Sequence, residues 1–463
     1  MIAQLSFQSQ RGELRLTVYR PLGSSGPSCD DITQGYKCGT SISHYWGQYS
    51  AYFSVPSEIS AEVPETCNIT FAQVLSRHGG RYPTMSKSIA YKRLIHRIQD
   101  NVDDVFSRKY AFFMDYTYEL GAEDLTEFGK QQMVNSGTKF YQRYITLAVN
   151  ESPFYRAASG ERVVESALRF SKGFSAAKWK DGRTSVIVDK AHMVILDEDK
   201  NNTLSHGTCP AFENGRPEWK DSAEAVFADV FVPPIRDRLN EDLPGADLSV
   251  SETIMFMDLC PFETMASRSG KISPFCDIFT VEEWKQYDYY QALNKYYGFS
   301  FGADLGPTQG VGWVNELIAR LTGNPVKDQT NTNHTLDSDP RTFPLGRTLY
   351  ADFSHDNDMI SIFSAMGLYN LSMTPALSKT RQHDAQDLGG FSASWAVPFA
   401  ARMFVEKMQC DNEEEELVRV LVNDRVVPLQ GCDVDDLGRC RVSTWVESLE
   451  FAKSNGLWEK CYD

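Results

Sequence analysis

Asn68-Ile69-Thr70-Phe71-Ala72-Gln73-Val74-Leu75-Ser76 runs directly into Arg77-His78-Gly79-Gly80-Arg81-Tyr82-Pro83. Ile69, Phe71, Val74 and Leu75 mark a strand destined for a buried sheet. Just past it, one imidazole stands between two guanidiniums, with two glycines that let the backbone pass close to a ligand. So much positive charge at a strand end calls for an anion. Arginine forks match phosphate oxygens, so the stretch reads as a phosphate cradle with a nucleophile inside it. A surface turn with scattered basic residues is the plainer alternative, and the spacing RHGxRxP stands against it.

A second apolar run, Leu349-Tyr350-Ala351-Asp352-Phe353, leads into Ser354-His355-Asp356-Asn357-Asp358. Alone, this pair could be a turn in which Asp356 caps a helix carrying Met359, Ile360 and Ile362. Together the two motifs are the signature of the histidine acid phosphatases, and the chain resembles that family well beyond them. Trp46-Gly47-Gln48-Tyr49, Leu305 to Gly312 and Val420 to Leu429 are similar to the fungal phytases of the 3-phytase type, and the resemblance covers nearly everything from Cys29 to Cys461.

The resemblance implies an α/β fold, a mixed sheet flanked by helices of the histidine phosphatase and phosphoglycerate mutase kind, with a smaller inserted α-helical domain. It implies a metal-independent acid phosphomonoesterase that needs no cofactor and acts on myo-inositol hexakisphosphate through a phosphohistidine. His78 would be the nucleophile and Asp356 the general acid. Arg77, Arg81, Arg156 and His355 would hold the phosphate, and Thr84, Lys295, Gln48 and Tyr49 the rest of the substrate. Arg156 is carried over on Phe154-Tyr155-Arg156-Ala157, although an extra Ala158 here precedes Ser159-Gly160. Lys87, Lys92 and Lys109 are further candidates for a substrate with several phosphates, but solvated surface is the more ordinary reading of each.

Chemistry sharpens these roles. The charges of Arg77 and Arg81 disfavour the imidazolium form of His78 and keep its lone pair available in acid. Asp356 must begin protonated, which suits acidic conditions or a carboxyl raised by burial. The Gly-rich Leu305 to Gly312 stretch lacks the Gly-Lys-Ser/Thr of a P-loop and reads as tight packing. A broad-specificity histidine acid phosphatase and a non-catalytic secreted glycoprotein that binds phosphorylated ligands are the competing functions.

Across 463 residues, 62 acidic side chains face 46 basic ones, for a net charge of -16. Such a chain repels nucleic acid and anionic membranes at neutral pH. Any anionic substrate must be held by a local basic pocket. The expected partner is therefore a small polyanion bound by a monomer, with neither nucleic acid nor membrane. No window reaches the apolar length of a membrane-spanning helix.

The ten cysteines form no CxxC pair and no zinc spacing with histidine, which favours disulfides over metal. Cys29/Cys38, Cys260/Cys276 and Cys432/Cys440 are close pairs suited to short loops. Spacing leaves the partners of Cys67, Cys209, Cys410 and Cys461 open. The resemblance implies Cys67–Cys410 and Cys209–Cys461 beside the three local bridges. Sequons at Asn68, Asn150, Asn201, Asn333 and Asn370 fit glycosylation in an oxidising route. Met1 to Leu22 offers no apolar core of signal-peptide length, yet cysteines and sequons together point to a secreted protein.

Residues 1–26 are expected to be poorly ordered, 27–190 and 340–463 to build the α/β domain, and 191–339 to form the helical insertion. Helical spacing appears at Tyr91 to Ile98, Gln131 to Leu147 and Val311 to Leu321, and after Ser159-Gly160. Thr280-Val281-Glu282-Glu283 is a capping box that opens another helix. Val418 to Val422 and Val426 to Leu429, joined by Asn423-Asp424-Arg425, form the strongest hairpin signal.

Overall fold

A computed structural model describes residues 28–102, 108–185 and 188–463; the N-terminal segment 1–26 lies outside the described residues. The main sheet takes strands β1 (Cys67–Arg77), β2 (Phe154–Ala158), β3 (Val194–Leu196), β4 (Leu349–Ser354), β5 (Arg402–Cys410), β6 (Leu417–Val422), β7 (Arg425–Val427) and β8 (Cys440–Arg441). Their order is β8-β6-β5-β1-β4-β2-β3, with β7 paired to β6. β1, β4, β2 and β3 run parallel, while β5 lies antiparallel on the other side of β1. β4 is buried at every residue, as is β1 from Phe71 onward. Parallel strands covered on both faces read as continuous apolar runs, which is why both were legible.

Register matters most at one end. Arg77 pairs with Ser354, and the His78 N–H donates to the Ser354 carbonyl at 3.2 Å. Two motifs 277 positions apart in sequence are thereby laid side by side beyond the carboxyl ends of parallel strands, where ligands of open α/β sheets bind.

The helices that matter here are α1 (Met85–Asn101), α2 (Glu127–Arg143), α3 (Glu161–Lys180), α4 (Pro210–Asp242), α5 (Val250–Ala266), α6 (Val281–Phe299), α7 (Val311–Thr322) and α8 (Asp356–Ala365). α2 and α3 approach very closely because Gly137 faces the Phe170 carbonyl and Gly173 the Val134 carbonyl; a Cβ at either would come within 1.9 Å. α4 packs on α5 and α6, and α6 in turn meets α8 and residues 47–49. The expected capping box opens α6: Thr280 Oγ1 accepts from the Glu283 N–H at 3.2 Å, and Glu283 Oε2 from the Thr280 N–H at 2.8 Å. Strand β3 joins the sheet although it falls inside the segment 191–339 expected to be helical. Leu305 to Gly312 packs tightly, with Gly310 against the Ser361 carbonyl.

Five disulfides close the described chain: Cys29–Cys38, Cys67–Cys410, Cys209–Cys461, Cys260–Cys276 and Cys432–Cys440. Cys67–Cys410 joins β1 to its neighbour β5, whose register sets those two residues opposite each other. Among the described residues no helix is long and apolar enough to cross a membrane.

Candidate active site

His78 sits just past β1 and is 1% exposed. Its Nδ1 lies 2.9 Å from the Gly79 carbonyl. A carbonyl only accepts, so Nδ1 carries the hydrogen and Nε2 keeps its lone pair. Burial, then the charges of Arg77, Arg162 and Arg81, hold the imidazole well below its ordinary range. The ring is therefore neutral in mild acid. The two glycines after it serve packing more than ligand approach, because a Cβ on Gly79 would meet the Gly129 carbonyl of α2 at 2.4 Å.

Arg77 is fully buried. Its Nη1 donates to the carbonyls of Gln48 and Val397, the latter at 2.8 Å, and its guanidinium stacks 4.5 Å above the Phe399 ring. Its Nη2 lies 3.5 Å from Asp356 Oδ2, and its Nε has no partner. Arg81 donates to the Tyr82 carbonyl at 2.8 Å and likewise leaves Nε unpaired. Unsatisfied buried guanidinium donors cost stability unless an anion meets them.

Asp356 is the first residue of α8, and it does not cap the helix; His355 holds the N-cap position without a side-chain bond to the helix backbone. The Asp356 carboxylate instead receives Lys295 Nζ at 2.7 Å. Burial opposes its ionisation, but Arg77 and Lys295 outweigh that and hold the carboxyl well below the usual range. The expectation of a carboxyl raised by burial is thus reversed. Lys295 comes from α6, is 3% exposed, and also donates to Asn357 Oδ1 at 2.7 Å. α6 supplies Gln291 as well, whose Oε1 accepts from Gln48 Nε2 at 2.7 Å.

Arg156 was expected at the phosphate. The structure gives its fork to carboxylates: Nε and Nη2 bond Asp352 at 3.0 and 2.8 Å, and Nη2 bonds Glu316 at 2.6 Å. It lies in the middle of β2, and Asp352 beside it also accepts from Gln73, Trp313 and Arg320. Arg162, six residues on, is the arginine brought to His78. It stands in the first turn of α3, past the end of β2, with Nη1 3.2 Å from Glu123 and a buried, unpaired Nε. Position at a strand end, rather than within the strand, was the signal that separates the two.

The remaining candidates divide. Tyr49 packs on Phe262 and Phe399, and its hydroxyl accepts from Lys87 Nζ at 3.1 Å. Lys87 also bonds the buried Asp258 at 2.8 Å. A cavity of about 630 Å³ is lined by Gln48, Tyr49, Lys87, Lys220 and Gln291, with Asp221 and Glu224 among its acids. Thr84 caps α1 through its carbonyl. Lys92 borders a separate hollow on the outer side of α1, and Lys109 donates to the Ile278 carbonyl at 2.6 Å. His355 lies with its ring 5.8 Å from that of His78.

Charge burial also sets a pH preference. Burial raises Asp30 and Asp288 from 3.8 to about 6. A carboxyl raised in the folded state adds stability that is complete below about pH 4 and lost as pH climbs through about 6. Asp352 runs the other way. Burial opposes its charge, but Arg156 and Arg320 bring it to about 2, so its contribution is present above about pH 4 and lost only as pH falls toward 2. Both kinds are favourable near pH 4.5. Buried His44, lowered to about 4, and His78 pull the other way in acid, so substitution isolates the carboxyl effect. In calorimetry, Asp288→Asn should raise the melting temperature at pH 7.5 relative to pH 4.5 by about 2 °C compared with the unaltered protein; an unchanged difference would contradict this.

The chain belongs to the histidine phosphatase superfamily (branch 2), whose profile matches residues 68–423. Among curated relatives it is 53% identical over 446 residues to phytase A of Aspergillus oryzae, which covers 94% of each chain. It is 54% identical over 440 residues to phytase A of Emericella nidulans, with the same coverage. Among solved structures it is similar to the phytase from D. castellii, with TM-score 0.70 and 22% identity across 91% of this chain and 88% of that one. The multiple inositol polyphosphate phosphatase of Bifidobacterium longum, in complex with inositol hexasulfate, matches at TM-score 0.62 and 15% identity, covering 88% and 97%. These two likenesses speak for the fold.

Proposed function

We propose that this protein is a secreted acid phosphomonoesterase that hydrolyses phytate to lower inositol phosphates through a phosphohistidine. The observation that carries the reading is a neutral, buried His78 whose free Nε2 sits among Arg77, Arg81 and Arg162, with Asp356 opposite. Relatives named phytase A at more than half identity support the substrate. Gln48, whose carbonyl accepts from Arg77, also lines the 630 Å³ cavity with Tyr49 and Lys87, although His78, Arg81, His355 and Asp356 do not border it.

In the proposed reaction Nε2 of His78 attacks phosphorus in line, the N–P bond forms and the ester P–O bond breaks. Arg77, Arg81, Arg162 and His355 hold the equatorial oxygens, and their charge is what a metal would otherwise supply. A phosphomonoester near pH 5 is mostly a monoanion, since its second pKa is about 6. It therefore carries in the proton that ionised Asp356 lacks, and Asp356 passes that proton to the departing inositol oxygen. Asp356 then takes a proton from the water that attacks the phosphohistidine, the N–P bond breaks and the imidazole is restored. The departing phosphate carries that proton away, leaving Asp356 ionised again. Lys295 keeps the carboxylate aimed throughout.

Five disulfides and the exposed sequons Asn68, Asn150 and Asn201 support secretion and glycosylation; Asn333 and Asn370 are half-buried. The test is phosphate release from phytate near pH 5 with excess chelator, beside a small phosphomonoester. Chelator-resistant turnover with kcat/KM for phytate at least about tenfold higher is expected. Equal preference would favour a broad phosphatase, and no turnover a binding protein.

A further inference from the structure

Two residues beyond Asp356 stands another carboxylate, Asp358, which the reaction above leaves unused. It is 5% exposed. Its Oδ2 lies 3.2 Å from His355 Nδ1 and 3.4 Å from Ser354 Oγ. Its Oδ1 accepts the backbone N–H of His206 at 2.7 Å, with the His206 ring Nε2 at 3.9 Å. His206 Nδ1 is in turn 2.6 Å from Glu213. Burial opposes the charge of Asp358, but His206 and His355 outweigh it and keep the group ionised.

An ionised carboxylate accepts and does not donate, so His355 Nδ1 holds a hydrogen. A neutral imidazole has only one. Nε2, the nitrogen left facing the site, would then offer a lone pair to a phosphate oxygen, which repels it. His355 can donate to phosphate only when both nitrogens are protonated. We infer that Asp358 is a positioning residue that makes His355 hold phosphate as an imidazolium, tying phosphate binding at this point to a proton. The inference rests on the reading that His355 contacts phosphate.

The charged surroundings agree. Glu198, from the loop after β3, brings Oε1 to 3.8 Å from His355 Nε2 and accepts the Gly160 N–H at 2.9 Å. Asp356 is the next residue along the chain. Arg162, which feels both Asp356 and Glu198, opposes the cation, and neutral His78 adds no charge. Asp358 at 3.2 Å and Glu198 at 3.8 Å set a carboxylate beside each ring nitrogen.

Asp358→Asn separates charge from shape. The His206 N–H requires an acceptor at Oδ1, so the asparagine oxygen stays there and its NH₂ turns to His355 Nδ1. That nitrogen must then accept, which leaves a neutral ring with its hydrogen on Nε2. Sulfate is the probe, because it stays a dianion from pH 4 to 7 and any pH dependence belongs to the protein. Inhibition constants against a chromogenic monoester should rise about tenfold at pH 5 in the variant. Their further rise toward pH 7 should be shallower than in the unaltered enzyme. His78 and Asp356 contribute the same background to both proteins.

An unchanged constant would overturn the inference, and so would a raised constant with an unchanged pH slope, since that marks only a displaced ring. His355→Ala distinguishes the underlying reading: if it binds sulfate like the unaltered enzyme, His355 does not hold phosphate at all. Should Asp358→Asn not fold, the ¹⁵N spectrum of the unaltered protein with sulfate decides. Two protonated ring nitrogens on His355 support the proposal, and a lone pair on either overturns it.

Discussion

His78→Ala should lose phosphate release from every ester, by at least about 10⁴-fold, because the attacking lone pair is His78 Nε2 while the neighbouring His355 holds an equatorial oxygen and Asp356 serves the leaving group. The loss should be chemical rather than structural. The imidazole makes one bond, to the carbonyl of its neighbour Gly79, and the cradle formed by Arg77, Arg81 and Arg162 stays in place. The variant should therefore melt within a few degrees of the unaltered protein and still bind sulfate. Rapid acid-free quenching of the unaltered enzyme with labelled substrate should trap an alkali-stable, acid-labile phosphoprotein that the variant never forms. A variant retaining a tenth of the activity would show that His78 is not the nucleophile.

Asp356→Asn should instead give a loss that depends on the leaving group. An amide cannot deliver a proton, so turnover of phytate, whose inositol oxygen departs poorly, should fall about 10²- to 10³-fold. An activated aryl phosphate leaves without protonation and should lose less than about tenfold. Phosphate binding has a separate expected response. Asp356 now neutralises part of Arg77 and Lys295, and removing that charge should tighten the binding of inorganic anions. Equal losses on both esters in a folded variant would remove Asp356 from the general-acid role and point to Lys295 or a bound water.

The reversal at Asp356 shows where sequence reading stopped. Its position two residues past a buried strand was legible, and so was its partnership with His78, because both motifs come after long apolar runs. Its charge was not. Whether a buried carboxyl is raised or lowered depends on which cations reach it, and Lys295 arrives on a helix that begins 75 residues earlier, at Val281. Desolvation alone would raise the group; two cations close to its oxygens reverse the sign.

Arg156 and Arg162 show the same boundary. The pattern Phe154-Tyr155-Arg156-Ala157 pointed to the first, but a residue within a strand bonds whatever lies across the sheet, and across β2 lies Asp352. A residue in the first turn of the following helix looks out over the strand ends. Nothing in local composition distinguishes an arginine with a waiting carboxylate from one without. The partners Glu316 and Asp352 are 160 and 196 positions away.

By itself the sequence determined the central strands, the two motifs at their ends, the hairpin closed by Asn423-Asp424 and the capping box at Thr280. Each arises from side chains a few residues apart, through apolar periodicity, left-handed turn residues or reciprocal caps. Tertiary structure alone decided which arginine completes the cradle, which protonation state Asp356 begins in, and that Asp358 backs His355. Those depend on electrostatic contacts over a few ångströms that bring Lys295 to Asp356 across 61 positions and His206 to Asp358 across 152, and such distances are set only when the sheet and helices have packed.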